Sequence, residues 1–226
     1  MNRKNVKQVS YHSALKGYKL EPIINIDNGG FYAYELLSFL SEEINIERLF
    51  SMMSIDESWK ILQDQFNLIS GEIKNTQIFV NAPCAIFFDV NKVLSIIDNH
   101  PPNVNIELQD PENMFLLNDN DFSVLVSNLK LLKSSGVPIW LDDLQVIYTH
   151  KAVELSPFIT GIKVDKYEFW NAYFKKNVQD FLLEFSTISS NIIIEGIENE
   201  NHLKSVATNH GFFGQGYQWP RLIIRK

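Results

Sequence analysis

The stretch IWLDDLQVIY, residues 139–148, sets two adjacent like charges inside an apolar run that otherwise reads as a buried strand. Asp142 and Asp143 interrupt Ile139, Trp140 and Leu141, and Leu, Val, Ile and Tyr resume within a few residues. Similar short β-branched runs lie on either side of it: TQIFVNA and NVNIELQ before, and ITGIKVD, NIIIEGI and GFFGQGYQW after. Between them come stretches with apolar residues at helical spacing, such as IERLFSMMSIDESWKILQDQFNLI (residues 46–69) and DFSVLVSNLKLLKSSG (residues 121–136). The chain opens with YKLEPIINI and FYAYELLSF, joined by DNGG, whose Asn28, Gly29 and Gly30 tolerate positive φ and so signal a hairpin. Counting that pair gives about eight strands alternating with helices, the pattern of an α/β barrel or a large doubly wound sheet, and a chain of 226 residues favours the barrel.

Bulk composition narrows the function. With 45% hydrophobic residues the chain can bury a sizeable core, and the absence of a Pro/Gly/Ser linker or a long repeat makes residues 1–226 one expected domain. A net charge of -7 without a long basic run argues against a surface for duplex DNA or RNA. No apolar run approaches the roughly 18 residues of a membrane span, so no membrane partner is expected. Cys84 is the single cysteine, which excludes an internal disulfide and fits a cytoplasmic protein. The five histidines are scattered without metal-ligand spacing, and the aromatic-rich YEFWNAYFKKNVQDFLLEF (residues 167–185) reads as a core-facing helix.

In a parallel barrel the functional face is the C-terminal end of the strands, and there the runs are acidic. They carry Glu35, Asn81, Glu107, Asp142, Asp143, Lys163, Asp165, Glu195 and Gln215. An isolated Asp or Asn at such a place is usually a helix cap. Glu35, Glu107 and Glu195, however, are embedded in apolar sequence. Buried carboxylates converging on one lysine must protonate or bind cations. Carboxylates with one amide, and neither Cys nor His, suit hard divalent ions such as Mg²⁺ or Mn²⁺. Adjacent Asp142 and Asp143 could serve two ions, an arrangement common in phosphodiester cleavage.

These residues resemble the EAL domain family in motif order from about residue 19 to 221: Glu35-Leu36-Leu37, Asn81-Ala82-Pro83, Glu107-Leu108-Gln109-Asp110, Leu141-Asp142-Asp143-Leu144-Gln145, Ile162-Lys163-Val164-Asp165, Glu195-Gly196-Ile197-Glu198 and Gly214-Gln215-Gly216-Tyr217. The resemblance implies a TIM-like (β/α)8 barrel of the EAL type, one strand of which runs antiparallel in that family, with residues 1–18 as an N-terminal extension. It implies a phosphodiesterase that uses two divalent cations, Mg²⁺ or Mn²⁺, to hydrolyse cyclic diguanylate (c-di-GMP) to the linear dinucleotide pGpG. Glu35, Asn81, Glu107 and Asp142 would hold one cation, and Asp142, Asp143 and Glu195 the other. Lys163 would contact the attacking water or a phosphate, Glu195 would act as general base, Gln215 would position substrate, and Asp110 and Glu198 would give structural support.

Three positions depart from the family pattern. Phe39 stands where those domains have an arginine gripping a phosphate, Leu144 to Ile147 replace a Gly- and Thr-containing loop, and Asp110 replaces a glutamate. Because that loop is tied in the family to metal binding and dimer contacts, a homodimer is compatible with the resemblance. The alternative is a catalytically degenerate EAL protein that binds a protein partner or senses the nucleotide, with Val146, Ile147 and Tyr148 as an apolar contact surface.

Overall fold

The structure, a computed structural model, describes residues 11–42, 44–207 and 211–225. Among these residues nine strands are formed: β1 (Leu15–Asn25), β2 (Phe31–Leu40), β3 (Gln77–Pro83), β4 (Val104–Gln109), β5 (Ile139–Leu144), β6 (Gly161–Val164), β7 (Ile192–Ile194), β8 (Phe213–Gly214) and β9 (Leu222–Arg225). Strands β2 to β8 run parallel in sequence order, and β1 closes the sheet by pairing antiparallel with both β8 and β2. The result is a closed mixed barrel of eight strands with helices around it and β9 added at the edge of β1. The barrel and its one antiparallel strand agree with the sequence reading.

The hairpin closes as its residues suggest. Gly29, at φ 67, donates its N–H to Asn25 O at 2.9 Å, and Asn25 N–H donates to Gly30 O at 2.8 Å. Its arms are longer than expected, since Leu15, Gly17 and Tyr18 already pair with Leu40, Phe39 and Ser38. Of the expected N-terminal extension 1–18, residues 11–18 therefore belong to a helical turn (Tyr11–Ala14) and to β1, while residues 1–10 lie outside the described residues. Strand β9 was not anticipated; it lies against β1 so closely that a Cβ at Gly17 would collide with the Ile224 carbonyl.

Two long helical stretches are each divided. The first becomes Ile46–Ser51 and Ile55–Glu72, because Ser54 starts a new helix with a capping box: Glu57 N–H donates to Ser54 Oγ and Ser54 N–H to the Glu57 carboxylate. The second becomes Lys166–Lys175 and Val178–Ser186. It breaks at Lys176, whose left-handed backbone at φ 59 lets the Asn177 N–H turn back to Ala172 O.

Inside the barrel, side chains alternate along each strand between the axis and the surrounding helices. The lower layer on the axis is an apolar plug of Ile23, Ala33, Phe79, Trp140 and Ile193, with Tyr32 stacked on Phe213 at 4.1 Å against it. The Trp140 ring lies over Gly161, which has no side chain to obstruct it, and its Nε1 donates to Asn105 Oδ1 at 3.1 Å. The next inward residue on each strand is two positions further on. That step leads from Ala33 to Glu35, Phe79 to Asn81, Asn105 to Glu107, Trp140 to Asp142, Gly161 to Lys163, Ile193 to Glu195 and Phe213 to Gln215. A complete polar layer therefore rests on the plug, at the C-terminal end of the parallel strands. No helix among the described residues is long and apolar enough to cross a membrane.

Candidate active site

The centre of the polar layer is Lys163, buried to 1% exposure. Its Nζ lies 3.1 Å from Glu35 Oε2, 3.0 Å from Glu107 Oε1, 3.0 Å from Asp142 Oδ1 and 2.7 Å from Glu195 Oε1. An ammonium has three N–H donors and cannot satisfy four carboxylates with good geometry. Both oxygens of Glu107 and Oδ1 of Asp142 are accordingly buried without a hydrogen bond. Glu35 is better served, accepting from Asn81 Nδ2 at 2.7 Å and from Gln215 Nε2 at 2.6 Å as well as from Lys163. The same two amides leave their own oxygens, Asn81 Oδ1 and Gln215 Oε1, buried without a donor.

Electrostatics follow from that arrangement. Burial drives Glu35 upward, but Lys163, Gln215 and Asn81 together outweigh it and hold the carboxyl below its ordinary range. Glu107 has no such compensation; burial and then the Glu35 charge raise it well above the usual carboxylate value. Burial, only partly opposed by Lys163, brings Asp142 and Glu195 each to about 7. Lys163 stays charged because its four acidic neighbours outweigh the cost of burying it.

Asp143 sits at the rim. The strand carries an irregularity between Leu141 and Leu144, and Asp143 occupies it with φ 47, a left-handed conformation that Asp tolerates better than most residues. The irregularity interrupts strict alternation, so Asp142 and Asp143 both face the mouth while Leu144 returns to the core. This is why two adjacent acids fit within one apolar strand. Partial desolvation and then Asp142 raise the Asp143 carboxyl to about 6, although the residue itself is solvent-exposed. One oxygen each from Asp142, Asp143 and Glu195 lies within 4.8 Å of the others. Orphaned buried acceptors, five carboxylates and a single ammonium make a donor set that fits hard divalent cations.

Other expected residues divide. Asp165 is a helix cap, accepting from Tyr167 and Glu168 N–H at 2.9 and 3.0 Å, so for that residue the simpler alternative holds. Glu198 lines the cavity above the polar layer. Asp110 directly follows β4 with φ 56 and precedes the short helix Pro111–Phe115, which its side chain does not cap. The altered loop differs from the contact surface anticipated in the degenerate alternative. Val146 and Tyr148 pack against the main core, Tyr148 stacks on Phe115 at 5.5 Å, and of the three apolar residues only Ile147, at 66% exposure, faces solvent. The chain avoids the missing glycines by forming a short 3₁₀ turn, Val146–Tyr148, that leads directly into helix Thr149–Leu155.

The cavity over the polar layer holds about 590 Å³ and has walls that residue type alone did not assign to it. Tyr167 and Trp170 line it, from a helix read as wholly core-facing, and Tyr217 and Glu21 do the same from the far side. Trp170 is fixed by donation from Nε1 to Gly196 O at 2.8 Å. The available signal was position: this helix starts directly after Lys163 and Asp165, so its first turns border the mouth.

The fold is that of EAL domains. The structure is similar to that of the EAL-like domain protein YdiV, with 15% identity, 92% of each chain covered and a TM-score of 0.67. It is likewise similar to the PaMucR phosphodiesterase in complex with c-di-GMP, with 17% identity, 92% of this chain and 96% of that chain covered and a TM-score of 0.66. BlrP1 of Klebsiella pneumoniae, in a manganese and cy-diGMP complex, matches with 16% identity over 92% of this chain and 56% of that one, at a TM-score of 0.63. No family model and no curated protein matches the chain.

Proposed function

We propose that this protein is a metal-dependent phosphodiesterase that opens cyclic diguanylate to linear pGpG. The observation that carries the proposal is the ring of four carboxylates around Lys163, with a fifth, Asp143, at the rim and acceptor oxygens left buried without a hydrogen bond, at the mouth of an EAL barrel. Complexes of PaMucR and BlrP1 with the cyclic dinucleotide support the choice of substrate. Glu35, Asn81, Glu107 and Asp142 would hold one divalent cation, and Asp142, Asp143 and Glu195 a second, with Mg²⁺ and Mn²⁺ suited to the oxygen donors. When bound, such ions lower the pKa of water and offset charge developing on phosphorus.

The side chains then divide the remaining work. Glu195, with a carboxyl near neutrality and its Oε1 on Lys163, takes the proton of the attacking water. Lys163, charged at all relevant pH, stabilises the extra negative charge as the water oxygen bonds to phosphorus and the ribose oxygen leaves. Gln215 keeps one amide oxygen free for the ligand while its Nε2 holds Glu35. The apolar plug beneath closes the barrel from below, so substrate and water enter from the rim alone.

The test is incubation with c-di-GMP and Mn²⁺ or Mg²⁺, beside a chelator control, followed by chromatography for pGpG. Metal-dependent product is expected. Binding of c-di-GMP by a metal-loaded protein without turnover would instead support the degenerate nucleotide sensor, a reading that Phe39 and the rebuilt loop favour.

A further inference from the structure

The β-ribbon of β2, β1 and β9 continues beyond the polar layer and forms one wall of the mouth. Directly opposed residues of adjacent antiparallel strands project from the same face. By register, Glu35 lies beside Glu21, Leu37 beside Lys19 and Phe39 beside Gly17. Across β1, Lys19 lies beside Ile223, and the pairing of Leu20 with Leu222 brings Arg221 next to Glu21. Because Glu21, Glu35 and Leu37 line the cavity, this face of the ribbon is the one turned toward it.

Two cations occupy that face. Arg221 Nη1 stands 3.7 Å from Glu21 Oε1, too far for a hydrogen bond, with the two side chains 44% and 25% exposed. An exposed pair of that length is weak and leaves the guanidinium donors available. Lys19 Nζ lies 5.6 Å from the centroid of the Phe39 ring, so its charge hangs over the residue that stands in place of the phosphate-gripping arginine. Below them are five acidic side chains, which would repel an anionic ligand at any rim that lacked cations.

We propose that Lys19 and Arg221 form a phosphate clamp on the β1–β9 rim and hold one phosphate of a cyclic dinucleotide, in compensation for Phe39. The clamp rests on the proposed function, since it presumes a phosphodiester ligand in this cavity. Arg221 supplies a planar fork that pairs with two phosphate oxygens, and Lys19 supplies a point charge on a flexible stem. Strand β9 has a functional purpose in this arrangement, because its pairing with β1 is what holds Arg221 beside Glu21.

The test is calorimetric binding of c-di-GMP to the full chain, with Ca²⁺ in place of Mn²⁺ to limit turnover. Lys19→Ala and Arg221→Ala should each weaken binding about tenfold, as expected for one charge-assisted contact. The double variant should lose about a hundredfold if the two act independently, and its binding should depend less on salt. Adding Phe39→Arg to the double variant should recover affinity. Wild-type affinity in the double variant would overturn the clamp while leaving the cyclic dinucleotide as ligand. Loss in the double variant that Phe39→Arg fails to recover would trace the defect to the ribbon itself and also overturn it. No binding to the wild-type protein would sink both the clamp and the proposed function.

Discussion

Lys163 and Glu195 meet at 2.7 Å, the shortest of the four contacts that one ammonium makes with carboxylates. They come from neighbouring positions around the barrel, one on β6 and the other just beyond β7, and each is the inward residue directly above the plug. A cation held so close to the base has two consequences. It keeps the Glu195 carboxyl from rising further than about 7, and it gives the metal-free barrel a counter-charge without which the acids could not be buried together.

Lys163→Met should therefore destabilise the metal-free protein by about 3–5 kcal/mol, the cost of leaving buried charge without its partner. Divalent cation should recover much of that loss, because it supplies the missing positive charge. Thermal melts of wild type and variant with and without Mn²⁺ check this; equal melting temperatures in chelator would show that Lys163 does not balance the ring.

Stability should also respond to pH in a direction set by the raised carboxyls. Asp142 and Glu195 hold protons up to about 7 in the folded chain, whereas in the unfolded chain they release them near the ordinary value of about 4. Between those values the folded state binds more protons, so stability falls as pH rises through the window. Lys163, with its pKa raised, remains charged throughout and contributes no slope there. Chelated protein should melt lower at about pH 8 than at about pH 5, and Mn²⁺, which replaces the lost protons, should stabilise more at the higher pH. A flat profile without metal would contradict this electrostatic picture.

Glu35→Ala should abolish metal-dependent hydrolysis. Beyond the lost carboxylate, the change strands the donors of Asn81 and Gln215, which at present meet on Glu35. Full activity in this variant would remove Glu35 from the site.

Much of this site was legible in the sequence. The strand ends pointed to Asp142, Asn81 and Glu195, and apolar embedding set Glu35, Glu107 and Glu195 apart from ordinary helix caps. The period of two explains why they share one face, since Asp142, Asn81 and Glu195 each lie two positions beyond the plug residues Trp140, Phe79 and Ile193. Helix faces were less legible. The spacing around Phe169 and Ala172 marks a buried stripe, but says nothing of Tyr167 and Trp170 on the cavity side. Strand β9 was missed for a different reason. Leu222–Arg225 is short and exposed on both faces, and it becomes a strand only because β1 offers a partner from the other end of the chain. The rebuilt loop matches the alternative reading only in part: the 3₁₀ turn half-buries Val146 and Tyr148 against the core and leaves Ile147 exposed, a division that apolar residue type alone does not specify.

That loop gives a further expectation. Ile147→Ser should change stability by no more than about 0.5 kcal/mol, as at an ordinary surface site. Tyr148→Ala should cost about 1–3 kcal/mol, through lost burial and the stack on Phe115. Chemical denaturation distinguishes them, and equal effects would mean that the turn packs differently in solution. If a protein partner exists, Ile147→Ser is the substitution of the two that tests its docking without disturbing the fold.

Gly196 connects the base to the cavity wall. At φ 74 it occupies a conformation that costs an L-residue about 1–2 kcal/mol, and a Cβ there would lie 2.7 Å from Lys166 Cβ and 2.8 Å from Trp170 Nε1. The same residue accepts the hydrogen bond that fixes Trp170 and directly follows Glu195. Gly196→Ala should accordingly lower both the melting temperature and kcat, because relief of the clash moves the wall and the base together. Trp170→Phe keeps the apolar wall but removes the donor, leaving Glu195 in place, so its effect should fall on KM more than on kcat. Steady-state kinetics on the two variants separate these outcomes, and a kcat loss in Trp170→Phe as large as in Gly196→Ala would show that the tryptophan, not the glycine backbone, positions the base.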